Sequence, residues 1–233
     1  MRNHPIQILA TVLLIFPALV TQAQIDPISA YNRHVIENWQ SDYLRIGQYR
    51  VKGSPYLLGE PFLGDIAYAS GTKINGMKIL YDIHAQQAGV ETEGKMLNSK
   101  EEVNEFTINL SEKFGSGKLV FKNSAAYGQP KLKIFLNVLE EGEKVALLKA
   151  YRTKLVSDPG DLYAKDLKIF EQYYEYYLYD VASKKLMKVK LRDRDILGAL
   201  DEQKAQGIIS AASLNLLLES DVIKLINKYN SSL

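Results

Sequence analysis

Five tyrosines fall within seven positions, Tyr173, Tyr174, Tyr176, Tyr177 and Tyr179, the densest run of one chemically useful side chain in the sequence. On a strand, Tyr173, Tyr177 and Tyr179 share one face, and Tyr174 and Tyr176 share the other. A phenol ring offers apolar area with a hydroxyl at its tip, which suits stacking on a sugar or packing on a partner protein. The set Tyr173, Tyr177 and Tyr179 is the candidate partner or ligand surface. Tyrosine is also a good strand former that lines half-buried sheets, and the cluster as a whole reads first as structure.

The other residues with chemical potential do not assemble into a site. The chain has no cysteine and three histidines, His4, His34 and His84. Zinc held by nitrogen and sulfur ligands is therefore not expected, and neither is any other metal or cofactor. A serine nucleophile needs a histidine base, and neither His34 nor His84 lies near a nucleophile-elbow motif. The acidic pairs Asp158/Asp161, Asp193/Asp195 and Glu140/Glu141 are sequence neighbours, which is no sign of two acids flanking a scissile bond. Asp158-Pro159-Gly160-Asp161 has oxygen ligands but lacks the twelve-residue calcium-loop pattern. Gly115-Ser116-Gly117-Lys118 lacks the full phosphate-loop spacing and fits a hairpin turn. No catalytic residue is expected, and the chain reads as a non-enzyme.

The N-terminus carries an export pattern. Arg2 precedes a nine-residue apolar run at 8–16, Pro17 breaks it, and Thr21, Gln22 and Ala23 lead to a cleavage point. Such a layout is that of a signal peptide over residues 1–23. A membrane anchor would need roughly 20 apolar residues. No transmembrane span is expected after cleavage, and the product is expected to be soluble, in the periplasm or outside the cell. Basic and acidic residues nearly balance, 29 against 27, so nothing draws the chain to nucleic acid.

The elements that must carry these side chains are mostly strands. From about residue 43 to 189 the apolar period is two. In residues 77–85, Met77, Ile79, Tyr81, Ile83 and Ala85 alternate with Lys78, Leu80, Asp82 and His84. Further strands are expected over 45–52, 65–69, 106–110, 118–122, 131–139, 144–155, 170–181 and 186–191. Gly142 is expected to turn a hairpin through positive φ. Lys184, Lys185, Lys188, Lys190, Arg192 and Arg194 read as the solvated face of an edge strand. The tail then changes period. A helix is expected over 193–205 with Asp193 or Asp195 at its start, and another behind Ser220 as N-cap, with Val222, Ile223, Leu225, Ile226 and Tyr229 on one face. The expected fold is α+β: an antiparallel meander of roughly 8–10 strands, curled or barrel-like, followed by helices. The expected domains are 24–191 for the β-rich part and 192–233 for a helical subdomain packed on the sheet.

The run Gly53-Ser54-Pro55-Tyr56-Leu57, the segment Leu80-Tyr81-Asp82-Ile83, the hairpin VLEEGEKVALLK at 138–149 and the closing DVIKLINKYN at 221–230 resemble a family of small exported proteins of unknown function, typical of Bacteroidetes-type Gram-negative bacteria. The resemblance implies export, a β-meander and a helical tail, and brings no catalytic residues. Three functional readings follow. The first is a non-enzymatic interaction protein of the cell envelope, binding an envelope protein through the aromatic strand or the helical tail. The alternative is a barrel or cupped sheet that binds a small apolar ligand. A hydrolase using carboxylates is the least favoured.

Overall fold

Two β-meanders joined side by side make the body of the protein. The computed structural model describes residues 44–92, 95–158 and 165–232. The expected signal peptide, His34 and Asp161 lie outside them.

The first meander runs β3 (Phe62–Tyr68), β4 (Lys73–Asp82), β5 (Gln87–Thr92) and β6 (Lys95–Asn98). The second runs β7 (Val103–Leu110), β8 (Gly117–Asn123), β9 (Phe135–Glu141), β10 (Val145–Ser157), β11 (Leu167–Asp180) and β12 (Lys185–Val189). β7 returns beside β3, and that ladder fuses the two. A short hairpin of β1 (Leu44–Ile46) and β2 (Tyr49–Lys52) adds to the start of β11. The result is one curled twelve-stranded sheet with order β1-β2-β11-β10-β9-β8-β7-β3-β4-β5-β6, β12 lying beside β11. It does not close, because β1 and β6 stand at opposite ends of the order.

The expected fold class is the observed one, α+β, with two corrections. The sheet is mixed, since β11 meets β2 in parallel through Leu167↔Arg50 and Ile169↔Lys52. It also has more strands than the period suggested. Residues 45–52 form two strands, and β5 and β6 are polar stretches whose pairing with β4 makes them strands.

Curling gives the sheet an aromatic interior. Phe106 and Phe121 are stacked at 4.7 Å, Tyr81 and Phe135 meet Phe106 edge-on at 5.1 and 5.0 Å, and they meet each other edge-on at 5.9 Å. Ile66, Ile79, Ile83 and Ile108 close the gaps around the rings. The cup is therefore filled by its own side chains.

Across β10 the burial changes character. Val145, Ala146, Leu147 and Leu148 are all buried, so this run is covered on both faces and shows no alternation. Leu147 and Val145 join Leu178 and Val189 under the C-terminal helices, whereas Ala146 and Leu148 join Tyr127, Ile134 and Leu136 beneath the connection from β8 to β9.

Three helices follow, α1 (Asp193–Leu197), α2 (Glu202–Ala212) and α3 (Glu219–Ser231). The single helix expected over 193–205 breaks after Gly198, and Asp201 caps a new one by accepting from Lys204 N at 2.8 Å. Ser220 is not the N-cap of α3. Leu218 holds that place with no side-chain bond, because Glu219 is drawn into the first turn by partners on the sheet. Gly142 is not at positive φ; a Cβ there would run into the Asn230 side chain, and that approach is what requires glycine. Among the described residues no helix is long and apolar enough to cross a membrane.

Candidate functional site

The register of β10 on β11 sets Lys149 opposite Tyr176 and Tyr151 opposite Tyr174, so these four side chains share one face. Glu219 comes down on them from the first turn of α3. Its Oε2 lies 2.7 Å from Lys149 Nζ and accepts a hydrogen bond from the Tyr176 hydroxyl, also at 2.7 Å. The ammonium is mostly buried and lies 4.3 Å from the centre of the Tyr174 ring, 5.3 Å from Tyr151 and 5.5 Å from Tyr176. Three π-faces and one carboxylate thus surround a single cation. Burial, reinforced by the Glu219 charge, pushes the Tyr151 phenol up to about 12 and holds Tyr176 well above its ordinary value. Neither the Tyr151 nor the Tyr176 phenol is ionised near neutral pH, so both meet the ammonium as neutral rings.

Tyr174 is the exposed member, 52% accessible in the middle of a fourteen-residue strand. Leu217 and Leu218, on the segment entering α3 just before Glu219, are 69% and 51% exposed. Both leucines immediately precede Glu219, whose carboxylate binds the Lys149 ammonium that lies against the Tyr174 ring.

The other set of tyrosines lies on the opposite face. Tyr177 is only 7% exposed, and its hydroxyl donates to Glu175 Oε2 at 2.9 Å. Tyr179 is half-buried, with the Tyr127 ring edge-on at 5.1 Å. Tyr173 is half-buried opposite Arg152. Tyr177 and Tyr179 are covered by the segment around Tyr127 and Ile134, more than forty residues away in sequence. The strand parity of the tyrosines was readable in advance; which face is covered was not.

The remaining sequence candidates stay apart. His84 is exposed, with Nδ1 2.9 Å from Thr153 Oγ1 and its ring against Phe170. Glu141 pairs with Lys122 at 2.6 Å, Glu140 accepts from Asn227, and Asp195 pairs with Arg192 at 2.8 Å. Gly115, Ser116 and Gly117 are all at positive φ, the turn between β7 and β8. Among the described residues no three acids or histidines are grouped to hold a metal.

A concave feature that the sequence did not signal lies at another edge of the sheet. A cleft of about 370 Å³ opens between the β5–β6 ribbon and the loop leading into β9. Its floor is Ala88, Val103, Ile134 and Phe135, and its walls carry Gln87, Asn98, Glu101, Glu102 and Lys133. Two lining residues that are not glycine, Gln86 and Lys133, sit at φ 58° and 50°. Gln86 is held there by four bonds: Oε1 accepts from the Tyr81 hydroxyl and Phe135 N, and Nε2 donates to the Ile83 and Tyr151 carbonyls. The surrounding core thus fixes a backbone conformation that is unfavourable by itself.

Behind the cleft, Asp82 is 2% exposed. Its Oδ1 accepts from the backbone N–H of His84 and Ala85 at 2.8 and 2.7 Å, while Oδ2 has no partner among the described residues. Burial raises its pKa above the ordinary 3.8, against the pull of the Ala85 and His84 N–H groups. The folded state therefore holds this proton more tightly than the unfolded chain. The associated stability is fully present below the unfolded value and is lost as pH rises through the folded one. Asp82→Asn is expected to match the native protein near pH 3 and to become the more stable of the two toward pH 7. Urea titrations across that range check this; a gap that stays constant with pH would show that Asp82 ionises in the fold without penalty.

Comparison of the chain with protein-family models, curated proteins and solved structures gives no match.

Proposed function

We propose that this protein is a non-enzymatic interaction protein of the cell envelope, and that it binds a partner protein through the ledge of Tyr174, Leu217 and Leu218. The observation that carries this reading is a tyrosine half open to solvent at the centre of a long strand, its ring held by a buried ammonium 4.3 Å away. A rigid aromatic ring costs little entropy to bury on association, which is why such residues dominate binding surfaces. The two leucines extend the apolar area, and the Tyr174 hydroxyl supplies a polar edge. The fitting partner is a folded protein that presents aliphatic side chains, with a hydrogen-bonding group at its rim. The signal-like N-terminus supports placing the encounter in the envelope. Filling of the cup by Phe106, Phe121, Tyr81 and Phe135 weighs against a small apolar molecule inside the sheet.

A photo-crosslinking residue at position 174, introduced in exporting cells, is expected to capture one discrete protein. The same probe at exposed position 113 should not capture it. With the partner in hand, Tyr174→Ser should weaken binding about 30-fold, the effect of losing a central anchor worth ~2 kcal/mol. An absence of adduct, or an adduct indifferent to Leu217→Ser with Leu218→Ser, would overturn the reading.

A further inference from the structure

We propose that the cleft beside β5 and β6 is a binding site for a short peptide of two or three residues with free termini. Its volume of about 370 Å³ lies at the lower end of small-ligand sites. The chemistry of its walls selects the ligand class more narrowly than size does. Glu101 and Glu102 enter from the segment before β7, and Lys133 enters from the loop before β9. None of these three charges has an ion-pair partner among the described residues. The carboxylates instead accept from neutral donors, Glu101 from Ser70 N at 2.8 Å and Glu102 from Asn123 Nδ2 at 3.4 Å. Acidic and basic groups supplied by separate segments suit a zwitterion, its ammonium toward the glutamates and its carboxylate toward Lys133.

Between these poles the site offers what a peptide bond requires. Asn98 Nδ2 donates to Gln87 Oε1 at 2.9 Å. That bond leaves Gln87 Nε2 as a donor and Asn98 Oδ1 as an acceptor, matching the C=O and N–H of a peptide group. The floor of Ala88, Val103, Ile134 and Phe135 takes an apolar side chain. Gln87 and Asn98 also wall a void of about 10 Å³, the size of one water, that lies against Asp82. The 86–87 backbone that carries part of the wall is locked by the four Gln86 bonds, so the site is preformed and a ligand meets little reorganisation.

The test is a titration of ¹⁵N-labelled protein with the dipeptide Ala-Leu, its N-acetyl form, its C-terminal amide, and a neutral disaccharide. Ala-Leu at millimolar concentration is expected to shift the amide signals of Val103, Ile134 and Phe135. Blocking either terminus should weaken the effect about tenfold, the worth of one charge-assisted bond at a partly open site. Glu102→Gln should abolish discrimination against the N-acetyl form, and Lys133→Gln discrimination against the amide. Both substitutions fall on exposed side chains and should leave the rest of the spectrum unchanged. Equal responses to free and blocked dipeptides, a response to the disaccharide alone, or no response at all would each overturn the proposal. The Tyr174 ledge is not involved, so its partner assay stands or falls separately.

Discussion

Replacing Gly64 with alanine is expected to leave little cooperatively folded protein. Gly64 sits in β3, opposite Met77 of β4, at the edge of an irregularity in that ladder. On its other side the Thr107 carbonyl of β7 approaches so closely that an added Cβ would overlap its oxygen and come within 2.8 Å of its carbon, with Ile79 Cδ1 at 3.2 Å. The nearest obstacle is backbone and cannot swing aside, and Ile79 Cδ1, though the end of a side chain, is fully buried in the aromatic core. Relief therefore requires β3 and β7 to separate, and their ladder is what fuses the two meanders. A loss beyond ~4 kcal/mol is exceptional for one substitution and is a large part of the ~5–15 kcal/mol that holds a domain together. Gly71→Ala is the comparison. Gly71 is at φ 90° with nothing within 4 Å of the added Cβ, so its penalty is conformational alone, about 1 kcal/mol. Thermal unfolding followed by circular dichroism separates the two cases. A Gly64→Ala melt within a few degrees of Gly71→Ala would mean that β3 and β7 part easily and that the fusion of the meanders lies elsewhere.

What could be read from the chain alone divides along a physical line. Alternation marked β4 through its inner set, Ile79 and Tyr81, although the structure also buries Leu80 and Asp82, which the period had placed on the polar face. β5, with the sequence QAGVET, has no such signal, since its place comes from pairing with β4 and not from its own propensity. The helix break at 198–201 was hidden because Ile196, Leu197 and Leu200 keep helical spacing across it. All three pack into the same core, Ile196 and Leu197 from α1 and Leu200 from the turn that follows it. Gly142 does lie in the β9–β10 turn, but glycine is needed there for clearance from Asn230 and not for positive φ, a contact with no local trace. The candidate sites follow the same rule. Parity placed Tyr174 and Tyr176 on a common face, but Lys149 and Glu219 reach them from 25 and 45 residues away in opposite directions. The cleft gathers residues from four separate segments, each unremarkable by itself. Local pattern reports which way a side chain points; only the tertiary fold decides what it meets.

The second large effect is expected at Asn230, and it should be local. The Asn230 Oδ1 accepts from Lys144 N and Val145 N at 3.2 and 3.0 Å, and Nδ2 donates to the Val145 carbonyl at 2.9 Å. One amide thus satisfies three backbone groups of the β9–β10 turn from the last turn of α3. Val145 is 2% exposed, so no water replaces what is lost. Asn230→Ala takes the acceptor from Lys144 N and Val145 N, while the Val145 carbonyl keeps its bond from Gly142 N; with ~1–3 kcal/mol for a stranded buried group and a gap beside Gly142, the total is near 3 kcal/mol. The rest of the anchorage is weaker at this end. Lys144 and Lys204 donate to the Ser232 carbonyl, and Glu219 holds the opposite end of α3. The expected result is a helix that frays from its C-terminus while the aromatic interior stays intact. Hydrogen exchange should show protection lost over residues 222–231 and at 144–145, with Phe106 and Phe121 amides unchanged. Asn230→Asp gives an internal scale at acid pH, where the protonated acid keeps the acceptor bonds and can still donate to the Val145 carbonyl, so its loss should be clearly smaller; at neutral pH its carboxylate faces that carbonyl and the loss should grow. If protection instead fell equally in β7 and β8, the helices would be part of the same cooperative unit as the aromatic core, and Asn230 would report on the whole fold, not on the docking of its last helix.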